Sequence, residues 1–143
     1  MSKKSLNILL FEDNEADVFI VREALKTIDQ PTQLQVVENG LEGAAYLKRE
    51  GKYQDAERPE VIILDLNMPK KSGGQVLKEI KSDPALKHIF VAVLSNSQSP
   101  EDREMCERYT SCRYFKKPDT FPQTIELINQ IFNDVAKRKG SEQ

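Results

Sequence analysis

The chain has 143 residues, 38% hydrophobic and 31% charged with no low-complexity tract, which reads as a single soluble domain with one core. Its net charge of −2 offers no basic face for nucleic acid, and no apolar run approaches the ~20 residues of a membrane span. "MSKKSLNILLF" has too brief an apolar part for a signal peptide, so the cytoplasm is the expected location, with neither nucleic acid nor membrane as partner. Cys106 and Cys112 form no metal-type cluster and read as free thiols that pack as small apolar residues. The lone His88, beside "DPALK", reads as a loop or strand-edge residue; with no second histidine or cysteine pair near it, zinc has little support.

In chain order, "LNILLF" (6–11) is an aliphatic run ended by two acids and reads as a strand. "NEADVFIVREALKTI" places Val18, Val21, Leu25 and Ile28 at helical spacing. "PTQLQVVEN" opens with a breaker and reads as a strand near 33–37. "GLEGAAYLKRE" reads as a helix ended by Gly51, and "GKYQDAERPE" as a polar connection. "VIILD" is the third strand; "SGGQVLKEIKS" is a helix bearing Val76, Leu77 and Ile80, stopped by "DP" at 83–84. "IFVAVLS" (89–95) is the fourth strand. "SPEDREMCERY" starts a helix with Ser99 as N-cap and Pro100 in the first turn. "CRYFK" is a short fifth strand, and "FPQTIELINQIFNDVAKRK" is a last helix with Ile125, Ile128, Ile131, Phe132 and Val135 on one stripe. One domain over 5–137 is expected, with flexible tails at 1–4 and 138–143 and no output domain.

Five strands alternating with five helices, several strands being continuous apolar runs, imply a doubly wound α/β fold on a parallel sheet. A barrel needs about eight such units. The order 2-1-3-4-5 suits a five-stranded sheet of this size, although periodicity alone does not decide it.

"VIILDLNMP" (61–69) raises a question, because four apolar residues run straight into a carboxylate, Asp65. Burying an unpaired carboxylate costs several kcal/mol. Ligands of open parallel sheets bind beyond the carboxyl ends of the strands, where strand order reverses. Glu12 and Asp13 end strand one, Asp65 strand three, Ser95 strand four, and Lys116, Lys117 and Pro118 strand five. In the order 2-1-3-4-5, strands one and three are neighbours, so three carboxylates meet at the mouth of the sheet with a hydroxyl and an ammonium beside them. Such crowding raises carboxylate pKa values unless a cation joins the group. A small hard ion such as Mg²⁺ resolves the conflict and suits phosphoryl transfer, with a carboxylate as nucleophile forming an aspartyl phosphate. Lys117 would pair with the phosphoryl oxygens and Ser95 would hydrogen-bond to one of them. An acid after a strand is commonplace by itself; agreement among four strand ends carries the argument.

The motifs "FEDN" (11–14), "LDLNMPKKSGGQVLKEIK" (64–81), "VLSNS" (93–97) and "FKKP" (115–118), in order and at this spacing, resemble the flavodoxin-like receiver domain of two-component response regulators over nearly the whole chain. The resemblance implies Asp65 as phosphoacceptor, Glu12 and Asp13 as the acidic pair with Asp13 the direct metal ligand, and Asn67 as donor of a backbone carbonyl to Mg²⁺. It implies Ser95 as the switch hydroxyl, Lys117 as the essential lysine, a cis bond before Pro118, and Tyr114 as the aromatic switch. Glu12 stands where aspartate is commoner, and Ser72 where an aspartate often precedes the loop glycine, here Gly73. Asn67 and Ser97 occupy positions that tune phosphoryl lifetime. "GKYQDAERPEVIILDLNMPKKSGGQVLKEIKSDPALKHI" further resembles single-domain regulators that partner phytochrome-type sensor histidine kinases. Those are often dimers through helix four, strand five and helix five.

The resemblance implies a stand-alone phosphoacceptor, with only intrinsic phosphotransfer and autodephosphorylation activity. A sensor histidine kinase would supply the phosphoryl group, and a downstream protein or a phosphorelay partner would read it. An aspartyl-phosphate phosphatase wants a second aspartate where Asn67 stands. A dinucleotide oxidoreductase wants a glycine fingerprint that "FEDNEAD" lacks. A scaffold that works without phosphorylation is the remaining rival.

Overall fold

The apolar runs form one parallel sheet of five strands: β1 (Leu6–Phe11), β2 (Thr32–Val37), β3 (Val61–Asp65), β4 (Phe90–Ser95) and β5 (Cys112–Lys116). The computed structural model describes residues 4–67, 71–96 and 99–141, the last four of these as backbone only. Strand order is β2-β1-β3-β4-β5, the order that suits a five-stranded sheet of this size, so β1 and β3 are neighbours at the switch point. β3 and β4 are buried along their whole length, which explains their unbroken apolar sequence. β2, at an edge, alternates more exposed with less exposed positions.

Helices cover both faces. α1 (Glu15–Lys26) and α5 (Phe121–Ser141) pack on one, where Leu10, Ile63, Ala92, Leu94, Phe115, Ile128 and Ile131 form a core. α2 (Gly40–Leu47), α3 (Gly73–Ser82) and α4 (Pro100–Glu107) lie on the other, over Phe11, Val37, Ile62, Leu64, Val91 and Val93. The period-two alternation of each strand thus sorts its side chains between two cores. Caps follow the sequence: Asn14, Asn39, Ser72 and Ser99 each accept a backbone N–H in the first turn of the helix that follows. In the polar connection after α2, Tyr53 closes a single 3₁₀ turn (Gly51–Tyr53), packs on Tyr46 with ring centroids 5.1 Å apart and donates to Glu42.

α5 continues to Ser141, so backbone that the sequence reading assigned to a flexible tail, 138–141, is helical. Arg and Lys are good helix formers, and no breaker interrupts the run before Gly140.

Gly73 fixes how α3 meets the end of β3. A Cβ there would stand 2.6 Å from Leu66 Cα and 2.8 Å from the Asp65 carbonyl oxygen, both backbone atoms that cannot rotate away. Gly73→Ala is therefore expected to cost about 1–3 kcal/mol. The check is a lower urea midpoint at unchanged slope; an unchanged midpoint would show that the Asp65–Leu66 backbone yields freely.

Candidate functional site

The parallel register builds the site. Phe11 lies beside Leu64 and Asp65 beside Leu94, so Glu12, one residue beyond β1, stands level with Asp65. Ser95 lies beside Lys116, and the Lys117 N–H donates to the Ser95 carbonyl at 2.9 Å, which extends the ladder past the strand ends. In step with Leu10, Ile63 and Phe115, the side chains of Glu12, Asp65 and Lys117 belong to the α1/α5 face. Ser95 and Tyr114, in step with Val93 and Cys112, belong to the α4 face.

Lys117 joins the acids. Its Nζ donates to Asp65 Oδ2 at 2.9 Å and stands 3.2 Å from Glu12 Oε1 and 3.4 Å from Asp17 Oδ2. The remaining carboxylate oxygens take backbone amides: Asn67 N–H donates to Asp65 Oδ1 at 2.8 Å, and Asn14 N–H to Glu12 Oε2 at 3.2 Å. Glu12 and Asp65 are only 5% and 4% exposed, yet each is doubly partnered, which is the condition for burying a charge. Asp65 thus closes a buried strand rather than standing in solvent at its mouth.

The geometry adds Asp17, which the sequence reading did not single out, to the cluster. Asp13 is exposed, whereas Asp17, in the first turn of α1, joins the lysine cluster. An acid in a first helical turn has a sufficient reason in the helix dipole, so Asp17 carries no signal of its own in the sequence. The signal was the Asn14 cap, which sets the first turn of α1, where Asp17 meets Lys117. The expected cis bond before Pro118 is also corrected: no peptide bond among the described residues is cis. Trans is favoured intrinsically by about 0.5–1 kcal/mol, and Lys117 reaches both buried carboxylates through it. Ser97 lies outside the described residues.

Burial raises the Glu12 carboxyl above its ordinary 4.5, and the Asn14 amide and Lys117 offset this only in part. For Lys117, burial acts to lower the ammonium, but the hydrogen bond and charge of Asp65, followed by Glu12, outweigh it and raise the group above 10.5. Both folded-state values are raised, so both contributions to stability decline as pH rises. That of Glu12 is full below 4.5 and lost as pH climbs through its folded value. That of Lys117 is full below 10.5 and lost only beyond it. Urea midpoints of the parent and of Lys117→Ala should therefore keep a constant separation through neutral pH and converge on the alkaline side. A separation that persists there would refute the assignment.

The donor set suits a small hard cation, since Glu12, Asp13 and Asp65 offer only oxygen. Among the described residues no three His, Cys, Asp or Glu side chains stand together as a group that could hold a metal ion. On the other face Ser95 is fully buried, and the Arg103 guanidinium lies 5.3 Å from the centroid of the Tyr114 ring. No described helix is long and apolar enough to cross a membrane.

The sequence pattern of the response regulator receiver domain matches residues 8–129. The chain belongs to the response regulator receiver family. The receiver is 46% identical to response regulator Rcp1 of Synechocystis sp. over 125 residues, covering 87% of this chain and 84% of that one. It superposes on the phosphorylated cyanobacterial phytochrome response regulator RcpA with a TM-score of 0.83 at 41% identity, covering 90% of this chain and 91% of that one. It superposes on the Mn²⁺-bound form of Rcp1 with a TM-score of 0.81 at 37% identity, covering 88% and 91%. Fold class and family thus agree with the sequence reading: a receiver of two-component signal transduction, similar to phytochrome-associated regulators.

Proposed function

We propose that Asp65 accepts a phosphoryl group from a sensor histidine kinase of the phytochrome type, in a Mg²⁺-dependent transfer that switches a protein-binding surface. The observation that carries this reading is the buried pair Glu12 and Asp65 bridged by Lys117 Nζ at 3.2 and 2.9 Å. Similarity to RcpA, a phytochrome response regulator solved in phosphorylated form, supports both acceptor and donor, and the Mn²⁺-bound Rcp1 supports a divalent ion.

An Asp65 carboxylate oxygen attacks phosphorus, the N–P bond of the phosphohistidine breaks, and the imidazole leaves. Glu12, Asp13 and Asp65, with the Asn67 carbonyl, would hold Mg²⁺, which when bound neutralises charge on the moving group. Lys117 follows the charge from Asp65 Oδ2 to the new phosphoryl oxygens, and the Ser95 hydroxyl donates to one of them. That movement draws on the α4 face, where Tyr114 changes rotamer and the repacked α4–β5–α5 surface is read by a downstream protein, a phosphorelay partner or a second copy of the chain. Water attack on phosphorus reverses the switch, so the only chemistry is intrinsic phosphotransfer and autodephosphorylation. A cytoplasmic location fits this reading.

Intact mass after incubation with Mg²⁺ and acetyl phosphate tests it: the chain should gain one phosphoryl group, and none when EDTA is present. Asp13→Asn removes one ligand charge and should raise the Mg²⁺ concentration for half-maximal rate by about tenfold. A Mg²⁺ titration that Asp13→Asn leaves in place would remove Asp13 from the ligand set. Transfer from a phosphorylated phytochrome-type kinase, compared with a kinase of another sensor class, tests the donor.

A further inference from the structure

We propose that Cys106 and Cys112 form a reversible disulfide site which, when closed, pins α4 to the start of β5. Both thiols are free, with their Sγ atoms 2.7 Å apart. Cys106 lies in the last turn of α4, fully buried in the α4-side core, and Cys112 is the first residue of β5, half-buried.

The turn between them is held so that the sulfurs meet. Tyr109 N–H donates to the Cys106 carbonyl at 3.2 Å. Ser111 is left-handed at φ 61°, a costly conformation for a residue with a Cβ, and it swings the chain back into β5. The Ser111 carbonyl accepts from Val91 N–H at 2.9 Å and from Lys81 Nζ at 3.1 Å. Lys81 is itself held by the Lys87 and Ile89 carbonyls at 3.0 and 2.9 Å, which places a fixed positive charge beside the thiols.

The Cys106 hydrogen bond lowers the Cys112 thiol, against its burial, with help from Lys81. The same hydrogen bond, with burial, raises Cys106. Cys112 is therefore the attacking thiolate, being also the more accessible. The oxidant is a low-molecular-weight disulfide such as glutathione disulfide. Cys112 attacks one of its sulfurs and one glutathione leaves as a thiol. Cys106 then gives up its proton and attacks the Cys112 sulfur, and the second glutathione leaves. Two thiols and one disulfide become one disulfide and two thiols. Disulfides of reducing compartments are usually of this transient kind. The bond restrains the helix whose Arg103 covers Tyr114. Its consequence for partner binding rests on the function proposed above; the bond itself does not.

The test is the full-length chain equilibrated in glutathione redox buffers and trapped without reductant. The parent should lose two hydrogen masses. Trypsin, cutting after Arg103, Arg108 and Arg113, should release peptides 104–108 and 109–113 joined to each other. Amide exchange over 103–109 should slow by about tenfold or more in the oxidised chain. Cys106→Ser should accumulate glutathione on Cys112, whereas Cys112→Ser should stay unmodified. Asp65→Asn should oxidise as the parent does, so failure of the phosphoacceptor reading leaves this result standing. No loss of mass in oxidising buffer, a bridge only between chains, or a bridge that leaves exchange unchanged would each overturn the proposal.

Discussion

Asp65→Asn is expected to gain no phosphoryl group from acetyl phosphate and Mg²⁺, a fall of at least about a thousandfold in rate, or ~4 kcal/mol in the barrier. An amide oxygen is a poor nucleophile toward phosphorus, and the substitution also takes a ligand charge from the metal. The shape is nearly unchanged, and the amide oxygen still accepts the Asn67 N–H that Asp65 Oδ1 accepts at 2.8 Å. Lys117 keeps Glu12 at 3.2 Å and Asp17 at 3.4 Å, so the ammonium is not stranded. Folding stability should then move by no more than about 1 kcal/mol. Intact mass and a urea melt on one preparation separate loss of chemistry from loss of fold. A stable aspartyl phosphate elsewhere in Asp65→Asn would show that another carboxylate is the acceptor.

Lys117→Ala should act on the fold as well as on the signal. Glu12 and Asp65 would remain buried and mutually repelling with their shared cation gone. Removing one partner of a buried ion pair costs about 3–5 kcal/mol. The Lys117 side chain is 18% exposed, which screens part of that loss and favours the lower end. Mg²⁺ should restore much of the stability, because a cation bound only by the folded chain stabilises it in proportion to RT ln(1 + [L]/Kd). Phosphorylation should continue while partner affinity no longer responds to it. Urea melts with and without Mg²⁺ check the first effect, and partner binding before and after phosphorylation the second. A variant as stable as the parent, with no Mg²⁺ dependence, would show that Lys117 does not hold the two carboxylates in place.

The architecture was legible because the apolar runs "LNILLF", "VIILD" and "IFVAVLS" can only be buried on both faces of a sheet, and helical periodicity separates them. Such patterns are local, and β5 was read to its bounds from five residues. The placing of Glu12, Asp65, Ser95 and Lys117 at strand ends followed from the same reading, since the point where each apolar run stops determines which residues come last. The motif resemblance added their roles.

What the sequence left open depended on contacts between elements distant along the chain. Asp17 reaches Lys117 because the Asn14 cap starts α1 on the face where it packs with α5. Which isomer precedes Pro118 rests on a small energy difference that tertiary contacts decide. Cys106 and Cys112 lie six residues apart on two elements correctly read as a helix and a strand. The left-handed turn at Ser111 and the carbonyls gathered by Lys81 bring their sulfurs together. By itself the sequence determined the strands, their ends and the carboxylates that terminate them, because burial and periodicity are properties of short segments. Only the tertiary structure decided which charges share one ammonium and which thiols touch, because those distances are set by the packing of helices on the two faces of the sheet.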